Sequence, residues 1–146
     1  MSTVNFMLHV EQAAFILSKK FPSLVRCKDY WVSHPVHEKT YEQRLTAWVP
    51  IWEPTDIPQP TPADLLAWWP DYADEYALAE ETTSARQKRD DLLKQVDPMV
   101  ERAADAGDAD FEAALRKYRQ ALRDVPAQAG FPFNVTWPTL PAKSAE

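Results

Sequence analysis

The chain has 146 residues, of which 22 are Asp or Glu and 16 are Lys or Arg, giving a net charge of −6. This length suits one ordinary domain or two very small ones, and it leaves little room for an enzyme with a deep enclosed cleft. Two glycines against 13 prolines exclude Gly-rich phosphate loops and dinucleotide fingerprints, which need several closely spaced glycines.

The first predicted element is a helix from Thr3 to Phe21. Met7, Leu8, Phe15 and Leu17 sit among helix-forming Gln12, Ala13 and Ala14, while Lys19 and Lys20 suit the C-terminal end. Pro22 stops it. Two strands follow. Leu24 to Val32 is rich in Val, Tyr and Trp. Leu45 to Trp52 alternates, with Leu45, Ala47, Val49 and Ile51 on one face and Thr46, Trp48 and Trp52 on the other. Pro50 inside the second run calls for an edge strand or a bulge. The polar residues 33 to 44 between them read as a long hairpin loop shaped by Pro35.

Prolines 54, 58, 60 and 62 crowd the next stretch, which reads as an extended connector and places a boundary between two parts. Thr61 then has the chemistry of an N-cap, Pro62 fits the first helical position, and Asp64 favours the positive end of the helix dipole. A long helical stretch from Ala63 to Val96 is expected, kinked or broken near Pro70. Leu65, Trp69, Tyr72, Tyr76 and Ala79 follow a 4-3-4-3 spacing along it. Residues 80 to 91 are charged nearly all round. A short helix from Pro98 to Ala104 and a turn at Gly107 come next.

The last helix, Asp110 to Arg123, puts Phe111, Leu115, Tyr118 and Leu122 on one face and Arg116, Lys117 and Arg119 on the other. Pro126 ends it. From Phe131 to Pro138 the chain is expected to be extended and aromatic, with the last five residues frayed. The fold class is therefore α+β: a small N-terminal helix with a β-hairpin or small antiparallel sheet (1–58), then a mainly helical part with an extended aromatic tail (59–146).

Several chemistries can be weighed against these elements. Cys27, the one cysteine, forbids an intrachain disulfide and reads as a half-buried strand residue. Its neighbours Arg26 and Lys28 favour a thiolate, but no base is specified beside it. His34 and His37 have helical ligand spacing, yet Pro35 between them opposes a helix, so two unrelated loop histidines are expected. Glu80 and Glu81 are adjacent and point apart on a helix, which does not make a carboxylate pair. No enzyme activity, metal or cofactor is expected.

The N-terminus, with His9 and Glu11 in its first apolar stretch, does not read as a signal peptide. Apolar runs fall far short of the roughly 20 residues that cross a bilayer. A soluble protein of the cytoplasm is expected. From Glu38 to Glu81 the acids Glu38, Glu42, Glu53, Asp56, Asp64, Asp71, Asp74, Glu75, Glu80 and Glu81 face two bases, Lys39 and Arg44. Such a middle repels phosphate backbones, so no nucleic acid is expected as partner.

The aromatic residues carry more information. Six tryptophans are far more than solubility favours, and a large side chain gains about 1.5–3 kcal/mol on burial. Trp68 and Trp69 are about 100° apart on a helix, so both enter a core or one meets a partner. Phe131, Phe133 and Trp137, on a segment stiffened by Pro132 and Pro138, either fold back as a lid or dock onto another chain. The candidate partner-binding residues are Trp68, Trp69, Tyr118, Phe131, Phe133 and Trp137.

Arg89-Asp-Asp-Leu-Leu-Lys, then Tyr118-Arg-Gln-Ala-Leu-Arg-Asp-Val-Pro-Ala-Gln-Ala-Gly-Phe-Pro and Val135-Thr-Trp-Pro, closely resemble the phage tail assembly chaperone family over residues 84 to 141. One departure is that Val96-Asp-Pro-Met-Val stands where family members often carry an Asp-Trp segment. The N-terminal half resembles XkdW-like prophage tail proteins: a helix ending in Phe21-Pro22, then Asp29-Tyr-Trp-Val, Ile51-Trp-Glu, and Asp56-Ile-Pro-Gln-Pro-Thr leading into Leu65-Leu-Ala-Trp. The resemblance implies a chaperone in the host cytoplasm that helps a tail or tail-fibre protein, the product of a neighbouring gene, to fold, oligomerise or attach. Homo-oligomerisation stays open. The alternatives are a structural component retained on the fibre or baseplate of the virion, and, from another class, a host-directed regulator or small DNA-binding protein.

Overall fold

The computed structural model describes residues 6–143. Within it the chain forms two compact units, Met1–Tyr76 and Ala77–Glu146. The division falls inside a helix, after Tyr76, rather than at the proline-rich 58/59 junction expected from composition. The reason is that Leu65, Leu66, Trp68, Trp69 and Tyr72, all beyond that junction, pack on the core of the first unit.

In the first unit, helix α1 spans Val10–Lys20. The predicted start at Thr3 is overturned for residues 6 to 9, which are non-helical, and residues 3 to 5 lie outside those described. The helix begins late because His9 caps it reciprocally. Glu11 N–H donates to His9 Nδ1 (3.2 Å) and His9 N–H donates to the Gln12 side chain (2.7 Å). Ala13, Ile16 and Leu17, at i, i+3 and i+4, are buried with Leu8, Tyr30, Ala47, Val49 and Leu65.

Strands β1 (Tyr30–Ser33) and β2 (Trp48–Trp52) form an antiparallel pair. Tyr30 faces Trp52, Trp31 faces Ile51 and Ser33 faces Trp48, so Val49 and Pro50 together oppose Val32. This is the bulge that Pro50 demanded, placed where an N–H is not needed. Both strands are shorter than predicted. Residues 24 to 29 turn instead of extending: Asp29 N–H donates to Val25 O (2.8 Å), Asp29 Oδ2 accepts from Val25 N–H (2.7 Å), and Cys27 has φ +66. Cys27 is therefore exposed in a turn and is not a half-buried strand residue. Leu45 and Ile51, expected on one face with Ala47 and Val49, are exposed while those two are buried, because strand alternation starts only at Trp48 and the bulge resets it.

The proline-rich connector is pinned to β2: Gln59 Nε2 donates to Val49 O (2.7 Å) and Trp52 Nε1 donates to Ile57 O (2.8 Å). Helix α2 then runs from Pro62 to Asp105 without interruption. Its cap is the expected one, with Asp64 N–H donating to Thr61 Oγ1 (3.1 Å) and Thr61 N–H to Asp64 Oδ2 (2.8 Å). The Thr61 backbone N–H first, and then the Thr61 hydroxyl, hold the Asp64 carboxyl below its ordinary range. Neither a break at Pro70 nor a separate helix at 98–104 occurs. A proline deletes one N–H donor, and packing of the flanking turns, Leu65 to Tyr72 in one unit and Leu92 to Val100 in the other, outweighs that loss.

In the second unit α2 closes with the predicted turn. Gly107 has φ +71, Asp108 N–H donates to Ala103 O and Gly107 N–H to Ala104 O, both at 3.0 Å, which is a Schellman cap. Helix α3 (Ala109–Asp124) starts at Asp108, whose Oδ1 accepts from Phe111 N–H (3.1 Å). Its predicted face is the observed one: Leu115, Tyr118 and Leu122 pack with Val96, Val100 and Ala103, flanked by Phe111 and Trp137. Val96, Met99 and Val100, at the departure from the chaperone pattern, thus lie in this core. A short 3-10 turn, Val125–Ala127, leads into the C-terminal segment.

His34 gives the first unit a pH dependence. Val10 N–H, at the start of α1, donates to His34 Nδ1 (3.0 Å), and the His9 ring lies 4.5 Å away, with Glu11 and its ion-pair partner Arg26 beyond. Burial first, then the His9 charge, lower the His34 pKa from its ordinary 6.5. The folded state therefore binds fewer protons than the unfolded one, and stability present above about pH 6.5 falls as pH drops through the folded value. The urea midpoint of the first unit is expected to fall between pH 7.5 and 5.5. His34→Asn, whose Oδ1 accepts the same bond at either pH, should flatten that slope.

Candidate partner-binding surfaces

The candidate aromatics fall into both units and differ in what they can meet. Trp68 lies half-buried on α2, edge-on to Phe21 (6.2 Å between centroids), with Lys20 Nζ 4.4 Å above its ring. Trp69, about 100° further round the helix, stacks near Phe6 (6.3 Å) and meets Tyr76 edge-on (5.5 Å), and Tyr76 meets Phe15. Both tryptophans pack on the first core. Lys19 on α1 pairs with Glu75 on α2 at the edge of this aromatic row.

Tyr118 is 7% exposed and belongs to the second core. Its position on the buried face of α3 leaves almost none of the ring for a partner. The C-terminal aromatics are arranged differently from an extended strip. Residues 129 to 133 form a turn that contains a cis Phe131–Pro132 bond, and Asn134 N–H donates to Gly130 O (2.7 Å). Gln128 then grips Thr136 from both sides, its Nε2 donating to Thr136 O (2.9 Å) and its Oε1 accepting from Thr136 N–H (2.8 Å). Extension begins only after this clasp. Proline rings fix φ but do not prevent such a turn, because backbone and side-chain bonds of Gln128, Gly130 and Asn134 close it.

That turn sorts the three rings. Trp137 is half-buried against the second core and carries Lys88 Nζ 4.4 Å over its face. Phe131 is half-buried, and Phe133 is 57% exposed. Phe133, Pro132, Val135 and Trp137 face Ser84 and Lys88 of α2 across a shallow cavity of about 230 Å³. The segment therefore folds back and at the same time presents one ring outward.

The first unit holds a larger apolar depression that the sequence reading missed. Phe6, Met7, Leu45, Trp48 and Leu66 line an open groove of about 880 Å³, together with Arg44. The missed signal was Leu45: the alternation places it on one face with Ala47, Val49 and Ile51, whereas a large apolar residue directly after the polar 33–44 loop also fits an exposed wall.

Reactive chemistry is sparse among the described residues. No group of three His, Cys, Asp or Glu side chains is placed to hold a metal ion. His37 Nδ1 accepts from the backbone N–H of Lys39 and Thr40 (3.2 and 3.3 Å), which makes it part of a loop turn. Among the described residues no helix is long and apolar enough to cross a membrane.

Comparison with known families follows the division of the chain. Residues 82–142 match the model of the phage tail assembly chaperone proteins. Residues 13–77 match the model of the XkdW proteins. The first match lies within the second unit and the second match covers most of the first, so each half resembles a different tail-related family, as its motifs implied. No curated protein and no solved structure matches the chain.

Proposed function

We propose that this protein is a phage tail assembly chaperone, a non-catalytic partner that covers an apolar surface of a tail or tail-fibre protein in the host cytoplasm until that protein has assembled. The match over residues 82–142 supports a role in phage tail assembly. Long fibrous subunits expose apolar edges before they oligomerise, and a partner that shields them suppresses aggregation. The observation that carries the reading is Phe133, a large ring held 57% exposed by a clasped turn instead of being folded into the adjoining core. Trp137 lines the same shallow cavity as Phe133 and packs on the core to which Tyr118 belongs. The acidic body adds solubility.

The test is co-expression with the tail-fibre protein of the same phage, encoded by a neighbouring gene, followed by affinity purification. Truncating an aromatic anchor at the centre of an interface costs on the order of 2 kcal/mol, so Phe133→Ser should reduce co-purification at least tenfold. Its melting temperature should stay at the wild-type value, since the ring is already wet. Mass spectrometry of purified virions should find the chaperone absent. Stoichiometric retention there would make it a structural component, and unchanged co-purification of Phe133→Ser would remove the turn from the interface.

A further inference from the structure

We infer that the groove of the first unit is a second docking site, which takes an extended apolar segment of a protein partner carrying an acidic side chain that pairs with Arg44. The walls are large apolar groups left in solvent: Leu45 is 65% exposed, Phe6 52% and Trp48 44%. They are held, not loose. Leu8 staples the two sides together, its N–H donating to Thr46 Oγ1 (3.0 Å) and its carbonyl accepting from Ala47 N–H (2.9 Å) and Gln43 Nε2 (2.6 Å). Arg44 N–H donates to Pro35 O (2.8 Å), which fixes the backbone from which the guanidinium extends. A site formed before binding loses little conformational entropy when it is filled.

The chemistry of the occupant follows from charge and openness. Arg44 stands in an acidic stretch, yet, like Arg86, Arg102 and Arg123, it forms no ion pair among the described residues, and of these four it is the one that lines the groove. A guanidinium beside an apolar groove is a directional, two-pronged site for a carboxylate, and the low polarity around it strengthens the pair. Small-molecule sites enclose most of their ligand. Walls that stay half-exposed suit a chain running across them, its apolar side chains between Phe6, Leu45 and Trp48 and its Asp or Glu on Arg44.

The site is separate from the Phe133 turn, so it stands or falls apart from the chaperone reading. The probe is a random dodecapeptide display library selected on the full chain, with the best peptide resynthesised, labelled and titrated by fluorescence anisotropy. Enriched peptides should combine bulky apolar residues with an Asp or Glu. Arg44→Gln should weaken the selected peptide at least tenfold, as should Asn or Gln in place of its acid. Leu45→Ser should weaken it comparably, and Phe133→Ser should leave it unchanged. Both groove residues are exposed, so the melting curves of the variants should overlay the wild type. Absence of enrichment, or binding indifferent to Arg44→Gln, overturns the inference. So does self-association in sedimentation that Leu45→Ser abolishes, which would assign the groove to a second copy of the chain.

Discussion

Tyr30→Ala is expected to lower the stability of the first unit by about 3–5 kcal/mol, the range for removing a buried aromatic ring and leaving its cavity. Tyr30 is 1% exposed and is the largest fully buried side chain of the chain's described part. It anchors the end of β1 opposite Trp52, whose ring lies 6.0 Å from its own, and it sits in one cluster with Leu8, Ile16, Leu17 and Leu65. Burial is also what pushes its phenol pKa up. The neighbouring helix and strand ends cannot collapse into the space, because the adjoining turn at residues 25 to 29 is closed by its own hydrogen bonds. Domains are stable by only about 5–15 kcal/mol, so a large share of the margin would go. Trp31, Trp48, Trp52, Trp68 and Trp69 all lie in this unit and Trp137 alone in the other, so urea unfolding followed by tryptophan emission reads it selectively. Tyr30→Phe, which keeps the ring, should stay within about 1.5 kcal/mol of wild type. A Tyr30→Ala midpoint close to that of Tyr30→Phe would show that the ring is not the keystone of the core.

The helices were legible where local chemistry and periodicity agree. Thr61, Pro62 and Asp64 announce the start of α2, Gly107 announces its end, and the spacing of Phe111, Leu115, Tyr118 and Leu122 announces the buried face of α3. The strands were less legible, because both are four or five residues long and their ends are set by tertiary bonds. Nothing in the order Leu24 to Asp29 reveals that the Asp29 carboxylate will reach back to Val25 N–H and bend the chain. Pro98 misled in the opposite direction, as did the break that was one of the two alternatives at Pro70. A proline rule is local, whereas the continuity of α2 depends on what its flanking turns pack against.

The candidate surfaces followed the same logic. Composition marked the aromatics as significant, and their sorting into core and surface came from contacts far apart in sequence. Trp68 and Trp69 found Phe21, Phe6 and Tyr76, while Phe133 found none of the core. The groove was illegible because its two walls, residues 6 and 7 and residues 44 to 48, are far apart in sequence and are joined by bonds of Leu8 to Thr46, Ala47 and Gln43.

Gly130→Ala should disable the second unit's aromatic turn without unfolding the helices beneath it. An added Cβ would overlap the Asn134 carbonyl oxygen and press on Asn134 Cβ and carbonyl carbon at 3.0 and 3.1 Å. The atoms in the way are backbone and the root of a side chain, which cannot swing aside as a flexible tip does. The same pair of residues closes the turn through Asn134 N–H to Gly130 O. Relief therefore requires opening that bond, and overpacking of this kind costs about 1–3 kcal/mol. The buried faces of α2 and α3 contain neither residue, so far-UV circular dichroism should be unchanged. Hydrogen exchange should show the Asn134 amide protected in the wild type and exchanging freely in the variant. Phe133 is carried by the three-residue span between these two positions, and losing the turn moves it as a whole. On the proposed function, binding of a tail or tail-fibre protein should consequently fall at least as far as in Phe133→Ser, on the argument that an anchor held in the wrong place contributes no more than one removed. A Gly130→Ala protein that keeps its Asn134 amide protected would mean that the turn absorbs the methyl group, and that the close approach of these two residues does not set where Phe133 points.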